Sequence, residues 1–267
     1  MKFLILGDIV GESGREVIND NLKKICDKNK IDFIVVNGEN SANDAFGITD
    51  EIANNLFSLG VDVITSGNHI WDKKETIKYI QSEKRLLRPS NFISGSPGSG
   101  TGIFEIKNSN YKVGVINLMG NVFMKKCENV FEEIRKVEKK IILKKNVDFL
   151  IIDFHGEITS EKMAIAHYYD GKATCIVGTH THVPTADTRI LDKGTAYQTD
   201  LGMCGDYNSV IGMNKENSLM RFFKDKKATK HFPSNGLGTI SGLIINADNE
   251  TGLAKKAERI IFGGVFK

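Results

Sequence analysis

Cysteine and proline are both scarce in this chain of 267 residues, which has four of each. The cysteines, Cys26, Cys127, Cys175 and Cys204, are far apart and form no CxxC pair, which excludes a small disulfide-stapled domain. We expect free thiols of a reducing compartment. Long apolar runs are missing too, because the N-terminal run stops at Asp8, too early for a signal-peptide core or a membrane span. These absences predict a cytoplasmic protein.

An excess of charge of one sign is also missing, since 36 Lys and Arg residues face 33 Asp and Glu residues, a net charge of +3. Such a balance does not predict a dedicated nucleic-acid surface. Basic residues cluster within 125–145 and 224–230, but acidic residues are interleaved and no stacking aromatics accompany them, so both segments are interpreted as solvated surface. Glycine is abundant instead, and its 26 copies predict many points that need a permissive backbone.

Apolar runs separated by amphipathic stretches predict an α/β fold. The first runs cover 3–6, 31–36 and 61–64, with helices predicted over 15–28 and 49–59 and Thr49 as an N-cap. This β-α-β-α-β order is typical of a parallel sheet. Further runs cover 113–118, 149–153 and 173–177, with a charged helix over 128–145, and 240–245 and 259–262 are predicted to be antiparallel strands of a second layer. We expect a single domain over 1–267.

Polar side chains follow five of the predicted strands. They are Asp8, Glu39, Asn40, Asn68, His155, His180 and His182. Because the carboxyl ends of parallel strands meet at one edge of a sheet, these side chains are predicted to converge there. The two histidines of His180-Thr181-His182 project the same way from an extended segment, as metal-binding pairs do.

The charge of this set indicates which ions it suits. Asp8 and Glu39 supply two negative charges among neutral ligands, too few for a calcium cage but suited to two divalent transition metals that share a carboxylate. The positive charge left over would attract an anionic ester and stabilise a phosphoryl-transfer transition state. His69, next to Asn68, is predicted to donate a proton to the leaving oxygen. His167 and His231 lie outside every motif and are interpreted as ordinary histidines.

A dinucleotide-binding fold is the main alternative from another class. Gly7, Gly11 and Gly14 follow the first strand, and Glu39 ends the second. The spacing departs from G-x-G-x-x-G, however, and this interpretation leaves the histidines without a role. The glycine-rich segment 95–102 lacks the Lys-Ser/Thr of a P-loop and is interpreted as a surface loop.

Six segments resemble one branch of a known superfamily. They are GDIVGESGR at 7–15, NGEN at 37–40, GVDVITSGNHIWD at 60–72, DFHGEITSEK at 153–162, VGTHTHVPTAD at 177–187 and YQTDLGMCG at 197–205. Together they resemble the YmdB branch of the calcineurin-like metallophosphoesterases over nearly the whole chain. The resemblance implies a four-layer α/β/β/α fold and a two-metal phosphodiesterase. Its substrates would be 2′,3′- and 3′,5′-cyclic nucleotides, attacked in line by a metal-bridging hydroxide with His69 as the proton donor.

The resemblance also implies a ligand set and a cofactor. The first metal would be held by Asp8, Glu39, Asn40 and His182, and the second by Glu39, Asn68, His155 and His180, with Glu39 bridging. Iron or manganese is favoured, although the nitrogen and oxygen ligands also admit zinc or cobalt. The wider superfamily has histidine at position 10, where this chain has Val10, and Asn40 is expected to supply the missing ligand. Thr179, Thr181 and 197–205, with Asp200 and Cys204, are expected to support the ligands or form the pocket wall.

Three functions stay open at this point. A phosphodiesterase would turn over cyclic nucleotides, a phosphomonoesterase or protein phosphatase of the same superfamily would prefer monoesters, and a sensor would bind cyclic nucleotides without turnover. A complete ligand set with a proton donor favours an enzyme over the sensor. The resemblance further implies a homo-oligomer.

Overall fold

The computed structural model describes residues 1–266, so the last residue of the predicted domain 1–267 lies outside them. The strands are β1 (Lys2–Val10), β2 (Phe33–Asn40), β3 (Val63–Thr65), β4 (Thr101–Glu105), β5 (Lys112–Met119), β6 (Phe149–His155), β7 (Cys175–Thr179), β8 (Arg189–Ile190), β9 (Ala196–Gln198), β10 (Met203–Cys204), β11 (Thr239–Ala247) and β12 (Ala254–Gly263). The helices are α1 (Gly11–Asn29), α2 (Asp50–Ser58), α3 (Lys74–Ser82), α4 (Val130–Val137), α5 (Thr159–Tyr169) and α6 (Lys215–Phe222).

The strands form two sheets. The first has the order β12-β11-β1-β2-β3, and β10 also pairs with β1. The second has the order β4-β5-β6-β7-β9-β8. Strands β1, β2 and β3 are parallel, as are β5, β6, β7 and β9. Each sheet therefore has a group of neighbouring strands whose carboxyl ends lie at one edge.

Alternating side chains of each strand build the cores on both faces of the sheets. From β1, Phe3 and Ile5 pack with Val115 and Phe149 of the second sheet in the core between the sheets. Leu4 and Leu6 point the other way, into the core under α1, α2 and α3. Helices α4 and α5 cover the outer face of the second sheet in a third core. These layers confirm the four-layer α/β/β/α fold.

Two sequence-based expectations about the sheets were wrong in detail. Strands β11 and β12 are antiparallel, as predicted, but they extend the first sheet beyond β1, with Leu4 opposite Ile244, and do not complete the second layer. The ligand-bearing strand ends also belong to two sheets, so the predicted single edge is two edges. A run of apolar residues marks a strand but does not indicate which sheet receives it.

The helices follow the predicted pattern with shifted ends. Thr49 caps α2, because its side chain accepts a hydrogen bond from the backbone nitrogen of Ile52. The charged helix predicted over 128–145 is shorter, since α4 ends at Val137 and Lys144 adopts a left-handed φ of 59°. Among the helices of residues 1–266, none is both long enough and apolar enough to cross a membrane.

Candidate metal centre

The eight predicted site residues lie where the carboxyl edges of the two sheets meet. The first sheet contributes Asp8 from β1, Glu39 and Asn40 from the end of β2, and Asn68 and His69 from the turn after β3. The second sheet contributes His155, the last residue of β6, and His180 and His182 just after β7. Hydrogen bonds connect the two groups, since the backbone nitrogen of His180 donates to Asp8 Oδ2 at 3.0 Å.

Several ligand atoms surround Nε2 of His155. Glu39 Oε1 lies 2.9 Å from this nitrogen, His180 Nδ1 lies 3.0 Å away and Asn68 Oδ1 lies 3.2 Å away. His155 is completely buried. These are the four residues that the resemblance assigns to one metal, and the structure brings them together.

Hydrogen bonds on the far side of His155 fix its tautomer. The hydroxyl of Thr179 donates to Asp153 Oδ1 at 2.7 Å, so the Thr179 oxygen is left to accept from His155 Nδ1, 3.0 Å away. Neutral His155 then carries its proton on Nδ1 and turns the lone pair of Nε2 toward Glu39. Converging lone pairs repel one another unless they share a cation, which is what a metal site provides.

The other two histidines are oriented in the same manner. His182 Nδ1 donates to the carbonyl of Ile211 at 2.8 Å, which leaves Nε2 facing the centre. His180 Nε2 lies 3.2 Å from Glu157 Oε2, which leaves its Nδ1 facing His155. Neither Ile211 nor Glu157 was expected to support a ligand. A backbone carbonyl carries no sequence signal, whereas Glu157 is visible only as the residue two after His155.

A second group of donors surrounds His182 Nε2. Asn40 Nδ2 lies 3.2 Å from this nitrogen and 3.2 Å from Glu39 Oε1, and Asp8 Oδ1 lies 3.9 Å from it. Asp8 Oδ1 is buried and has no hydrogen-bond partner within residues 1–266. A buried carboxylate oxygen without a partner is costly, and a cation would satisfy it. The donor set therefore fits a metal here as well, although a ligand role for Asn40 requires its amide oxygen to face the ion.

The pKa shifts reflect this crowding of charge. Burial alone would raise the pKa of Glu39, but the adjacent His155 outweighs burial and lowers it. Burial opposes a charged His155, yet the carboxylate of Glu39 raises its pKa to about 9. Burial, together with the charge of His155, lowers the pKa of His180. The centre thus favours a cation at His155 Nε2 and a neutral His180, the form of histidine that binds metals.

Gly67 shows why glycine precedes the Asn68-His69 pair. A β-carbon at this position would lie 2.2 Å from His155 Nε2 and 2.3 Å from Glu39 Oε2. The φ of Gly67 does not lie in the left-handed region, so the backbone conformation is not what requires glycine here. The reason for glycine here is the close approach of backbone to the ligand atoms, and we expect any side chain to displace them.

His69 lies beside the donor groups with its ring held from one side. Its Nδ1 lies 2.6 Å from Asp72 Oδ2, and its backbone nitrogen donates to Glu39 Oε2 at 3.1 Å. The ring also packs at 4.9 Å between centroids against Phe46. Asp72 therefore fixes Nδ1, and Nε2 is the nitrogen left for chemistry.

A cavity of about 420 Å³ lies over the donor groups. This volume falls in the range of about 300–1,000 Å³ that is typical of small-molecule sites. Glu39, His69 and His182 line it from the sheet edges, and Phe222 and His231 line it from the segment that contains α6. His231 was interpreted as an ordinary histidine, and its place on the cavity wall was not anticipated, because no local motif marks a residue that reaches the site from a distant loop.

Val10 occupies the position where the wider superfamily has histidine. It is buried in a small apolar cluster with Ala45, Met203 and Met213. A valine side chain carries no nitrogen or oxygen, so position 10 supplies no side-chain ligand to the group formed by Asp8, Asn40 and His182. Two further predicted residues contact each other beside the ligands. Thr181 lines the cavity, and the buried Asp200 Oδ2 accepts from the backbone nitrogen of Thr181 at 3.1 Å.

Comparisons with known proteins agree with the fold and with the family resemblance. A family model described as YmdB-like protein matches residues 4–260. The chain is 42% identical to the 2′,3′-cyclic-nucleotide 2′-phosphodiesterase of Bacillus subtilis (strain 168) over 261 residues, which cover 98% of this chain and 97% of that protein. A crystal structure described as a novel phosphatase of Mycoplasma pneumoniae has 36% identity and a TM-score of 0.90, covering 98% of this chain and 93% of that one.

More distant structures share the fold alone. A putative 5′-nucleotidase of Staphylococcus aureus has 14% identity and a TM-score of 0.56, covering 97% of this chain and 53% of that one. The resemblance found in the sequence is confirmed by the family match and by the B. subtilis relative. The chain belongs to the YmdB-like family, and it is an enzyme.

Proposed function

We propose that the protein is a two-metal phosphodiesterase that hydrolyses 2′,3′- and 3′,5′-cyclic nucleotides. The observation that carries this proposal is the position of Glu39, whose Oε1 lies 2.9 Å from His155 Nε2 and 3.2 Å from Asn40 Nδ2. One buried carboxylate thus contacts both the donor group around His155 and the donor group around His182, as a bridging ligand does. The name of the B. subtilis relative supports the 2′,3′-cyclic substrate.

The chain's own residues account for the binding and the proton transfer. Asp8, Asn40 and His182 would hold one ion and Asn68, His155 and His180 the other, with Glu39 shared. When bound, the two ions would supply Lewis-acid activation of water and neutralise the phosphoryl oxygens.

His69 would complete the reaction on the leaving-group side. In a 2′,3′-cyclic nucleotide, the oxygen of water forms a bond to phosphorus and gives up a proton to solvent, from which His69 is reprotonated after turnover. The bond from phosphorus to the 2′-oxygen breaks. That oxygen takes the Nε2 proton of His69, and the product is a nucleoside 3′-monophosphate. Asp72 holds His69 in the orientation that presents Nε2.

A substrate panel tests this function against its alternatives. Chelated protein reloaded with Mn²⁺ is expected to hydrolyse 2′,3′-cyclic AMP, 3′,5′-cyclic AMP and bis-p-nitrophenyl phosphate faster than p-nitrophenyl phosphate. A preference for the monoester would favour a phosphomonoesterase, and binding without turnover would favour a sensor. Glu39→Gln is the matched control for turnover that does not depend on this site, because it keeps the shape of the proposed bridging side chain and removes its charge.

The remaining expectations from the resemblance stay predictions. They are the preference for iron or manganese, the homo-oligomer, the cytoplasmic location and the single domain.

A further inference from the structure

The segment 215–231 carries more net positive charge than the whole chain. Its six basic residues, Lys215, Arg221, Lys224, Lys226, Lys227 and Lys230, face two acidic residues, Glu216 and Asp225, which gives +4 against +3 for all 267 residues. All six basic residues are exposed. Within residues 1–266, the four lysines of 224–230 form no ion pair and no side-chain hydrogen bond. We call 215–231 the basic segment.

Two aromatic rings on the basic segment are turned to solvent. Phe222 is 75% exposed and Phe223 is 83% exposed. Phe222 also lines the cavity over the donor groups, together with His180 and His182. Phe222 and Phe223 directly precede Lys224 in the sequence, so aromatic residues do accompany the lysines of 224–230. The interpretation of 224–230 as plain solvated surface does not account for these two exposed rings.

A free cyclic mononucleotide would leave most of this segment unused. It carries a single negative charge on the phosphate, which the donor groups and their ions would take. The lysines of 224–230 follow Phe222 in the chain but do not line the cavity. Exposed rings beside unpaired lysines match single-stranded nucleic acid, whose bases stack on aromatics and whose phosphates attract cations.

We propose that the substrate is the 3′ end of a single-stranded RNA that terminates in a 2′,3′-cyclic phosphate. The cyclic phosphate would enter the cavity, the terminal base would stack on Phe222, and the preceding phosphates would lie along Lys224, Lys226, Lys227 and Lys230. This proposal rests on the proposed function and names the substrate of the same site.

The chemistry of RNA cleavage indicates what supplies such an end. When a 2′-hydroxyl attacks the neighbouring phosphorus, the 5′-oxygen of the next nucleotide leaves with a proton, and the 2′,3′-cyclic phosphate stays on the upstream fragment. Hydrolysis at the 2′-oxygen by this protein would convert that end into a 3′-phosphate. The protein would thus act directly after RNA cleavage by transesterification.

The test compares two substrates of the Mn²⁺-loaded full chain. One is 2′,3′-cyclic AMP, and the other is an oligoadenylate of about eight nucleotides that ends in a 2′,3′-cyclic phosphate. We expect kcat/KM to be at least about tenfold higher for the oligonucleotide at low salt and to fall more steeply with salt, by a log-log slope of about 0.7 for each phosphate contacted.

Charge reversal on the basic segment separates the substrates. Lys226→Glu/Lys227→Glu is expected to lower kcat/KM about tenfold for the oligonucleotide and less than about twofold for the mononucleotide. Lys23→Glu/Lys24→Glu makes the same charge change at exposed positions in the second half of α1. This control variant should leave kcat/KM unchanged for both substrates. Phe222→Ala is expected to raise KM for both substrates, because the terminal base of each loses its stacking partner. Phe222→Tyr keeps an aromatic ring and is expected to retain the wild-type KM.

The outcomes distinguish this proposal from the proposed function. Turnover of the mononucleotide with no advantage for the oligonucleotide, or equal losses from the two charge reversals, would overturn the RNA substrate and leave the phosphodiesterase intact. No turnover of either substrate would overturn both. A change in oligomeric mass caused by Lys226→Glu/Lys227→Glu would show that the basic segment is an interface between copies, which also overturns the RNA proposal.

Discussion

Lys162 Nζ lies 2.7 Å from Asp200 Oδ2, and both side chains are about 1% exposed. The same ammonium donates to the carbonyl of Thr179 at 2.9 Å, and the same carboxylate accepts from the backbone nitrogen of Thr181. These two backbone groups flank His180, whose φ of 101° is unusual for a residue with a side chain. The buried ion pair therefore holds a strained ligand backbone from both sides, at a strain cost of about 1–3 kcal/mol.

Replacement of Lys162 is expected to damage stability and metal binding together. Lys162→Met leaves Asp200 charged and buried without its partner, so the free energy of unfolding should fall by about 3–5 kcal/mol. Urea denaturation measures this loss. Affinity for Mn²⁺, measured by titration below the unfolding transition, should fall as well, because His180 loses its support.

The double variant Lys162→Met/Asp200→Asn controls for the stranded charge. It removes both charges, so it should recover much of the stability lost in Lys162→Met. If the double variant regained full affinity for Mn²⁺ as well, the ion pair would have no role in positioning His180.

Thr179 is predicted to set the tautomer of His155. Thr179→Val removes the acceptor of His155 Nδ1 and is expected to weaken metal binding about 10–100-fold. Thr179→Ser keeps the hydroxyl and should retain most of the affinity. Metal titration measures the affinity, and circular dichroism of the same variants shows whether they remain folded. Equal affinities of the valine and serine variants would contradict the role of Thr179.

His69 is predicted to protonate the leaving oxygen. His69→Ala should leave the bound metal in place and lower kcat about 10²–10⁴-fold for cyclic nucleotides, whose alkoxide leaving group needs a proton. Hydrolysis of bis-p-nitrophenyl phosphate should suffer much less, since p-nitrophenolate leaves without protonation. Equal losses on the two substrates would rule out the acid role.

The four cysteines are predicted to be slow nucleophiles in the folded protein. All four are free, and burial raises the pKa of Cys26 to about 11 and that of Cys204 to about 12. Because only the thiolate reacts, alkylation of Cys26 by iodoacetamide near pH 8 should be on the order of a hundredfold slower than in urea, where thiols have a pKa of about 8.5. Mass spectrometry of the alkylated peptides measures the rates, and rapid labelling of Cys204 in the native protein would contradict its burial.

The ligand residues could be predicted from the sequence because each comes directly after an apolar run. Asp8, Glu39 and His155 are all recognisable in that way. The assignment of their strands to two facing sheets could not be predicted from the same runs, because strand pairing depends on long-range contacts such as Leu4 with Ile244.

The supporting residues were harder to predict. Thr179 and Asp200 were expected to lie near the ligands. Lys162 ends the motif at 153–162, but no role was assigned to it, because a lysine on a helix is ordinarily expected in solvent. Its burial follows from Asp200, 38 residues away in sequence. Phe222 and His231 reach the cavity from a segment with no motif, so only the folded chain reveals them.

The number of metal ions bound by each chain tests the two-metal site most directly. Chelated protein reloaded with Mn²⁺ and desalted should contain about two ions per chain by elemental analysis, and Glu39→Gln should lose both because Glu39 is shared. Asp8→Asn, whose residue is assigned as a ligand of one ion only, should lose about one. One ion or none in the wild-type chain, or full occupancy in Glu39→Gln, would contradict the two-metal site.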